Sequence, residues 1–178
     1  MSQRRDDVQT RVRKAHATLQ AARALLKHEP PLRDDAVNRA SAAALQAARA
    51  LVESQWARDS QPAWDPSWRP GMPKPGMPKD PLSAAAVQKL LERFEVLAAR
   101  LGLGPDFTDY VRTLVEDGLD ADFGEAPGYD EDEALQAIET AGKLVFTVAA
   151  QVGLGDEVKP GAPPPPAAAP AVVPSEAS

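Results

Sequence analysis

Asn38 and Arg39 stand out as polar positions on a segment that is otherwise apolar and alanine-rich. A guanidinium beside an amide can hold a phosphate or a partner's backbone. The competing role is a hydrogen bond or ion pair that braces a helical bundle, with Asp120 or Asp122 as acceptor. Asp120, Asp122, Glu125, Asp130, Glu131 and Asp132 supply the oxygen ligands that divalent cations prefer. They lack the ordered spacing of a calcium loop, and several sit where a helix starts, so no metal site is expected. Trp56, Trp64, Trp68, Met72 and Met77 gather large apolar groups beside and within a proline-rich stretch. Such residues are favoured at interface cores, so a partner-docking loop is one expectation and a loop folded back over the protein is the other. Arg4, Arg5, Arg11, Arg13 and Lys14 offer charge to nucleic acid, but no aromatic residues interleave with them. Arg49 and Glu53, four residues apart, read as surface support for a helix.

The frame that must position these groups is set by composition. The chain has 178 residues, a net charge of -6 and no cysteine. That excludes a disulfide scaffold, a cysteine nucleophile, and thiolate-bound zinc or iron–sulfur clusters. Two histidines leave little for a histidine-rich metal site, and no cofactor is expected. No apolar run approaches the roughly 20 residues of a membrane span, and the first residues do not read as a signal peptide. A soluble, cytoplasmic protein that avoids membranes is therefore expected. Aromatic residues make up 5% of the chain, while alanine and leucine dominate, which favours packed helices over a sandwich or barrel.

Proline and charge divide the chain. Of 18 prolines, seven lie from Pro62 to Pro81 and seven from Pro160 to Pro174. Proline lacks an N–H donor and clashes with a helix interior, so 58–82 is expected as a long loop. The Pro/Ala-rich segment 156–178 is expected as a disordered tail, leaving a bundle over 5–155. Net charge is +4 over residues 1–60, +2 over 61–100 and -12 over 101–178. That split fits head-to-tail self-association, two distinct binding faces, or simply solvated helix faces.

Apolar spacing predicts the helices. Val8, Val12, Ala15, Leu19, Ala22 and Leu26 step by alternating fours and threes, which predicts a helix over roughly 5–28. Pro30-Pro31 stops it. A second helix begins near Asp34 or Asp35, with Val37, Ala40, Ala44, Ala47 and Leu51 as its main stripe. Leu45, Val52 and Trp56 form a second line, so this small-residue helix is expected to be buried on two sides. Ser83 is the predicted N-cap of a third helix lined by Val87, Leu90, Phe94, Leu97 and Leu101. Pro105 opens a shorter fourth helix carrying Phe107, Tyr110, Val111 and Leu114, which gives way to an acidic loop over 118–128. Asp130 to Glu133 resembles a capping box. It opens a fifth helix with the stripe Ala134, Ile138, Ala141, Val145, Val148 and Val152. The predicted fold is all-α: an antiparallel up-and-down bundle of four main helices plus one short one.

The second helix carries a resemblance. Arg33 to Leu51, reading Arg-Asp-Asp-Ala-Val-Asn-Arg-Ala-Ser-Ala-Ala-Ala-Leu-Gln-Ala-Ala-Arg-Ala-Leu, resembles the HEPN (higher eukaryotes and prokaryotes nucleotide-binding) family. Members often read as an acidic start, Ala-Val-Asn-Arg-Ala, two tyrosines, an aromatic, a histidine and an Ala-Ala-Arg-Ala-Leu run. Leu19 to Leu26 resembles the family's first helix. Asp120-Ala121-Asp122-Phe123-Gly124 resembles its Ala-Asp-Tyr-Gly turn, and Ile138 to Ala141 its last helix. The resemblance covers about 12–152 without the 58–82 loop. It implies a homodimer and partners of two kinds, a small nucleotidyltransferase or a nucleotide or RNA, met by Asn38, Arg39, Gln46 and Asp122.

The departures point away from catalysis. The family's tyrosine pair falls at Ser41 and Ala42, its helix-two histidine at Gln46, and an arginine before the turn at Gly118. Ribonuclease members use an arginine to support phosphate charge and a histidine to move a proton, with four to six residues between the two. Arg39 here would be paired with Gln46, which is neither acid nor base. Arg11 with His16 and Arg23 with His28 match the spacing formally. Five residues of helix rotate by about 140° net, so the two side chains diverge, and structural roles are expected. The leading expectation is a non-catalytic binding or assembly subunit. The alternatives are a ribonuclease toxin of a toxin–antitoxin pair, and a scaffold that recruits partners through its proline-rich loop and tail.

Overall fold

A computed structural model describes residues 2–59, 84–121 and 128–158. The described residues form five helices and no strand: α1 (Ser2–Leu26), α2 (Arg33–Asp59), α3 (Ala84–Arg100), α4 (Pro105–Ala121) and α5 (Glu131–Gln151). The all-α bundle is therefore observed. Residues 60–83, 122–127 and 159–178 lie outside the described residues, and so do the expected cap Ser83 and most of the expected loop and tail.

α2 is the central helix and packs against all four others. Its composition explains the placement. Ala36, Ala40, Ala43, Ala44, Ala47, Ala48 and Ala50 are all fully buried. Side chains that small let several helices approach one axis, and each forfeits no rotamer freedom on burial. The bulk comes from the neighbours: Leu19 of α1, Leu91 and Phe94 of α3, Val111 and Val115 of α4, Leu144, Val145 and Val148 of α5.

The stripes of α1, α2 and α5 lie in the core as spaced, with Leu26 and Val152 only half-buried at the ends. The second line of α2 is half-covered at Leu45 and Val52. Two expectations need correction. The buried seam of α3 runs Val87, Leu91, Phe94 and Ala98, while Leu90, Leu97 and Leu101 are half-buried. The seam is thus rotated by one position, because Ala98, which carries little hydrophobic weight, faces the core. Nor is α4 the short helix: it has 17 residues, as many as α3. It continues through Gly118, where a loop was expected.

Local chemistry sets the ends. Asp130 Oδ1 accepts from the Glu133 N–H at 2.8 Å, and Glu133 Oε2 accepts from the Asp130 N–H at 2.9 Å. This is the expected capping box, and three acidic residues in the first turn complement the helix dipole. At the other end of α5, Gly153 turns into the left-handed region (φ 80°). That lets Leu154 N–H reach the Ala149 carbonyl at 2.8 Å and places Leu154 in the core. The chain after α5 stays on the bundle for a few residues. Val158 is buried, and Glu157 accepts from Arg13 at 3.0 Å. The expected tail boundary at 156 therefore falls inside the packed chain.

Candidate functional site

Ten positions of α2 from Ala36 to Leu51 face the core. The remaining sector holds Arg39, Ala42, Gln46, Arg49 and Glu53, which step by three and four and so share one face. Arg39 is exposed, and the other four are half-buried. Asn38 borders this stripe and is half-buried. Among the described residues, neither Asn38 nor Arg39 makes a side-chain hydrogen bond or ion pair. The bracing partners considered for them, Asp120 and Asp122, have no described side chains.

Gln46 occupies the middle of the stripe. Its Oε1 is sealed from solvent and has no hydrogen-bond partner among the described residues. A buried acceptor left unpaired costs about 1–3 kcal/mol, and such atoms are rare in folded chains. One turn further on, the stripe is tied to α1. Glu53 accepts from Arg49 at 2.9 Å and from Arg11 at 3.0 Å. The Arg49–Glu53 pair is therefore more than surface support: its carboxylate joins two helices and sits between two guanidinium groups. The opposite end of α2 is tied to α5, where Asp34 Oδ1 accepts from the Tyr129 N–H at 2.9 Å. Arg33 reaches Glu131 at 3.7 Å, while its Nε is buried without a partner.

The two Arg–His spacings of α1 do not form sites. Arg11 turns to Glu53, whereas His16 is buried at 2% exposure against α5. His16 Nε2 lies 2.9 Å from Gln20 Nε2, and its ring is 6.2 Å from that of Phe146. Arg23 covers the same Phe146 ring at 5.9 Å, in the space that Gly142 leaves open. Burial lowers the His16 pKa, and the nearby Arg23 charge lowers it further. A neutral, enclosed imidazole is a packing group. His28 is exposed and pairs with the Pro30 carbonyl at 3.0 Å.

Arg39 and Gln46 thus share one helix face, with Asn38 at its border. Asp122, Trp64, Trp68, Met72 and Met77 lie outside the described residues, as does the Trp56 side chain. Among the described residues, no three His, Asp or Glu side chains gather as a metal would need. No helix there is long and apolar enough to cross a membrane. Sequence reasoning missed three features. One is the Glu53 bridge. Another is a groove of about 400 Å³ lined by Val52, Gln55, Glu92, Arg93, Val96 and Arg100. The third is the seat of Gly118 of α4 against Ser41 of α2. The signal for that seat was present, since both positions carry small residues. No protein-family model, no curated protein and no solved structure matches the chain.

Proposed function

We propose that the chain is a non-catalytic, HEPN-like binding or assembly subunit that works as a homodimer and engages a partner along the open stripe of α2. One observation carries the reading: Gln46 Oε1 is unpaired in the middle of that stripe, between Arg39 and Arg49. The Gln46 side chain is only half-buried, so rotation about its χ angles presents the amide to a partner's donor. Arg39 offers a guanidinium, unpaired among the described residues, on the same face, suited to a carboxylate or phosphate. Ala42 between them permits close approach.

The family resemblance suggests a small nucleotidyltransferase as the partner. A nucleotide or RNA would meet the same arginines through phosphate. Catalysis is not part of the reading, because Gln46 stands at the histidine position and His16 is enclosed on another helix.

Native mass spectrometry on the full chain, gently purified from its native host, tests this. The expected species is a dimer with a bound protein subunit, and Arg39→Glu should release that subunit. A nucleotide or RNA mass released by the same substitution would change the partner but keep the site. A bare chain would overturn the reading. So would RNA cleavage by the purified protein that Arg39→Ala abolishes.

A further inference from the structure

Three large hydrophobic side chains are exposed among the described residues: Leu32 at 36%, Val96 at 58% and Leu135 at 42%. Val96 and Leu135 sit in matching frames of opposite charge. Val96, on the outer face of α3, has Arg93 three residues before it and Arg100 four residues after it. Leu135, on the outer face of α5, has Asp132 three residues before it and Glu139 four residues after it. All four charged residues are exposed. In both frames the charges are seven residues apart, about 10.5 Å along the helix, on the same side as the apolar residue.

Shape accompanies charge. Val96 lines the groove between α2 and α3, together with Val52 and Leu97, which are half-buried apolar walls. Arg93 and Arg100 stand at its edge with Glu92 and Gln55. No ion pair among the described residues engages Arg93, Arg100, Asp132 or Glu139. Elsewhere, similar charges are already used within the fold: Arg112 pairs with Glu95, Arg13 with Glu157, and Arg33 with Glu131. An apolar centre rimmed by charge is the ordinary anatomy of an interface, and opposed charges at the rim set partner choice and register.

We propose that the chain self-associates by seating the Asp132–Leu135–Glu139 face of α5 from one copy over Val96 in the α2–α3 groove of another, with Arg93 and Arg100 meeting the two carboxylates. The two faces differ, so the contact is heterologous, and it closes a dimer where both copies use it reciprocally. The occupant is a second copy because this chain itself carries the complementary face, at the same spacing and with the opposite sign. The contact gives the proposed homodimer an interface, and so it rests on the dimeric part of that reading. It leaves the partner-binding stripe of α2 free.

Sedimentation equilibrium of the full chain, at low and high salt, tests the contact. Wild type should associate, and salt should weaken the association by screening the rim. Arg93→Glu with Arg100→Glu should weaken it by at least about tenfold. Mixing that variant with an Asp132→Arg, Glu139→Arg variant, itself weakened, should restore association between the two. Val96→Ser, at an exposed position, should weaken association with no change in helical content by circular dichroism. A monomeric wild type would overturn both the interface and the proposed dimer. A dimer indifferent to all these substitutions would overturn the interface alone. Capture of the α2 partner by the Arg93→Glu, Arg100→Glu variant, read by native mass spectrometry, should be unchanged; its loss would also overturn the assignment of separate faces.

Discussion

Gly118 of α4 lies so close to Ser41 of α2 that a methyl group at position 118 would overlap both the Oγ and the Cβ of the serine. Ser41 is buried. Two helices can come this near only where both contribute almost no side chain. This contact explains why α4 runs on through a glycine. An interior helical glycine is disfavoured by about 1 kcal/mol relative to alanine, and here it admits the central helix.

Gly118→Ala therefore sets two effects against each other. Helix propensity favours alanine by about 1 kcal/mol. Overpacking against Ser41 costs about 1–3 kcal/mol, and the overlap involves a Cβ that cannot rotate away. The expected outcome is a net loss of stability in urea denaturation, with Ser41→Gly in the same chain recovering part of it. A more stable Gly118→Ala chain would show that α4 is not held at this distance.

Glu53 should behave as a junction between helices. Its side chain is 21% exposed and its two arginine partners 29% and 33%, so the pairs are less screened than those at an open surface. Glu53→Gln leaves Arg11 and Arg49 facing each other and should cost about 1–2 kcal/mol. A double-mutant cycle with Arg11→Met should give a coupling of at least about 0.5 kcal/mol. Strict additivity would mean that the α1–α2 tie contributes nothing.

Legibility divided along physical lines. The stripes of α1 and α5 could be read because Val8, Val12 and Leu19, or Ile138, Val145 and Val148, are large enough to mark a face by themselves. The α3 seam was misplaced because Leu90 and Leu101 outweigh Ala98 in hydropathy, and yet Ala98 is the residue that fits against the core. Gly118 read as a helix end because propensity registers its missing side chain as a defect. The site was half-legible. Arg39 and Gln46 are seven residues apart on one helix, so spacing alone put them on one face, with Asn38 at its border. The ties of Glu53 to Arg11 and of Asp34 to Tyr129 span 42 and 95 residues, and no periodicity within one helix encodes such a distance.

His16 gives the fold a pH dependence of predictable sign. Its folded pKa is lowered, first by burial and then by Arg23, whereas the unfolded chain takes up a proton near the usual value of about 6.5. Stability is thus fully present above that value and falls as pH drops towards the folded pKa, because the unfolded state binds more protons. The urea midpoint should fall between pH 7.5 and 5.5, and His16→Gln should flatten that fall. An identical slope in His16→Gln would place the responsible group elsewhere.

Gln46→Leu separates what α2 does for folding from what it does for binding. In the free chain, Gln46 Oε1 is sealed and unpaired. Replacing the amide with a side chain of similar size removes an unsatisfied acceptor, and apolar replacement of such a group is neutral to stabilising. The expected gain is about 1 kcal/mol in urea denaturation. In the proposed complex, the same change would remove the group offered to the partner's donor and leave that donor unpaired, which should weaken capture by about tenfold. A residue kept for packing would not trade stability for binding in this way. If Gln46→Leu raised stability and left partner capture intact, the stripe of Arg39, Ala42 and Gln46 would not be the docking face. If it lowered stability, the unpaired oxygen would have been satisfied within the fold, and the argument that this face is unfinished would fail with it.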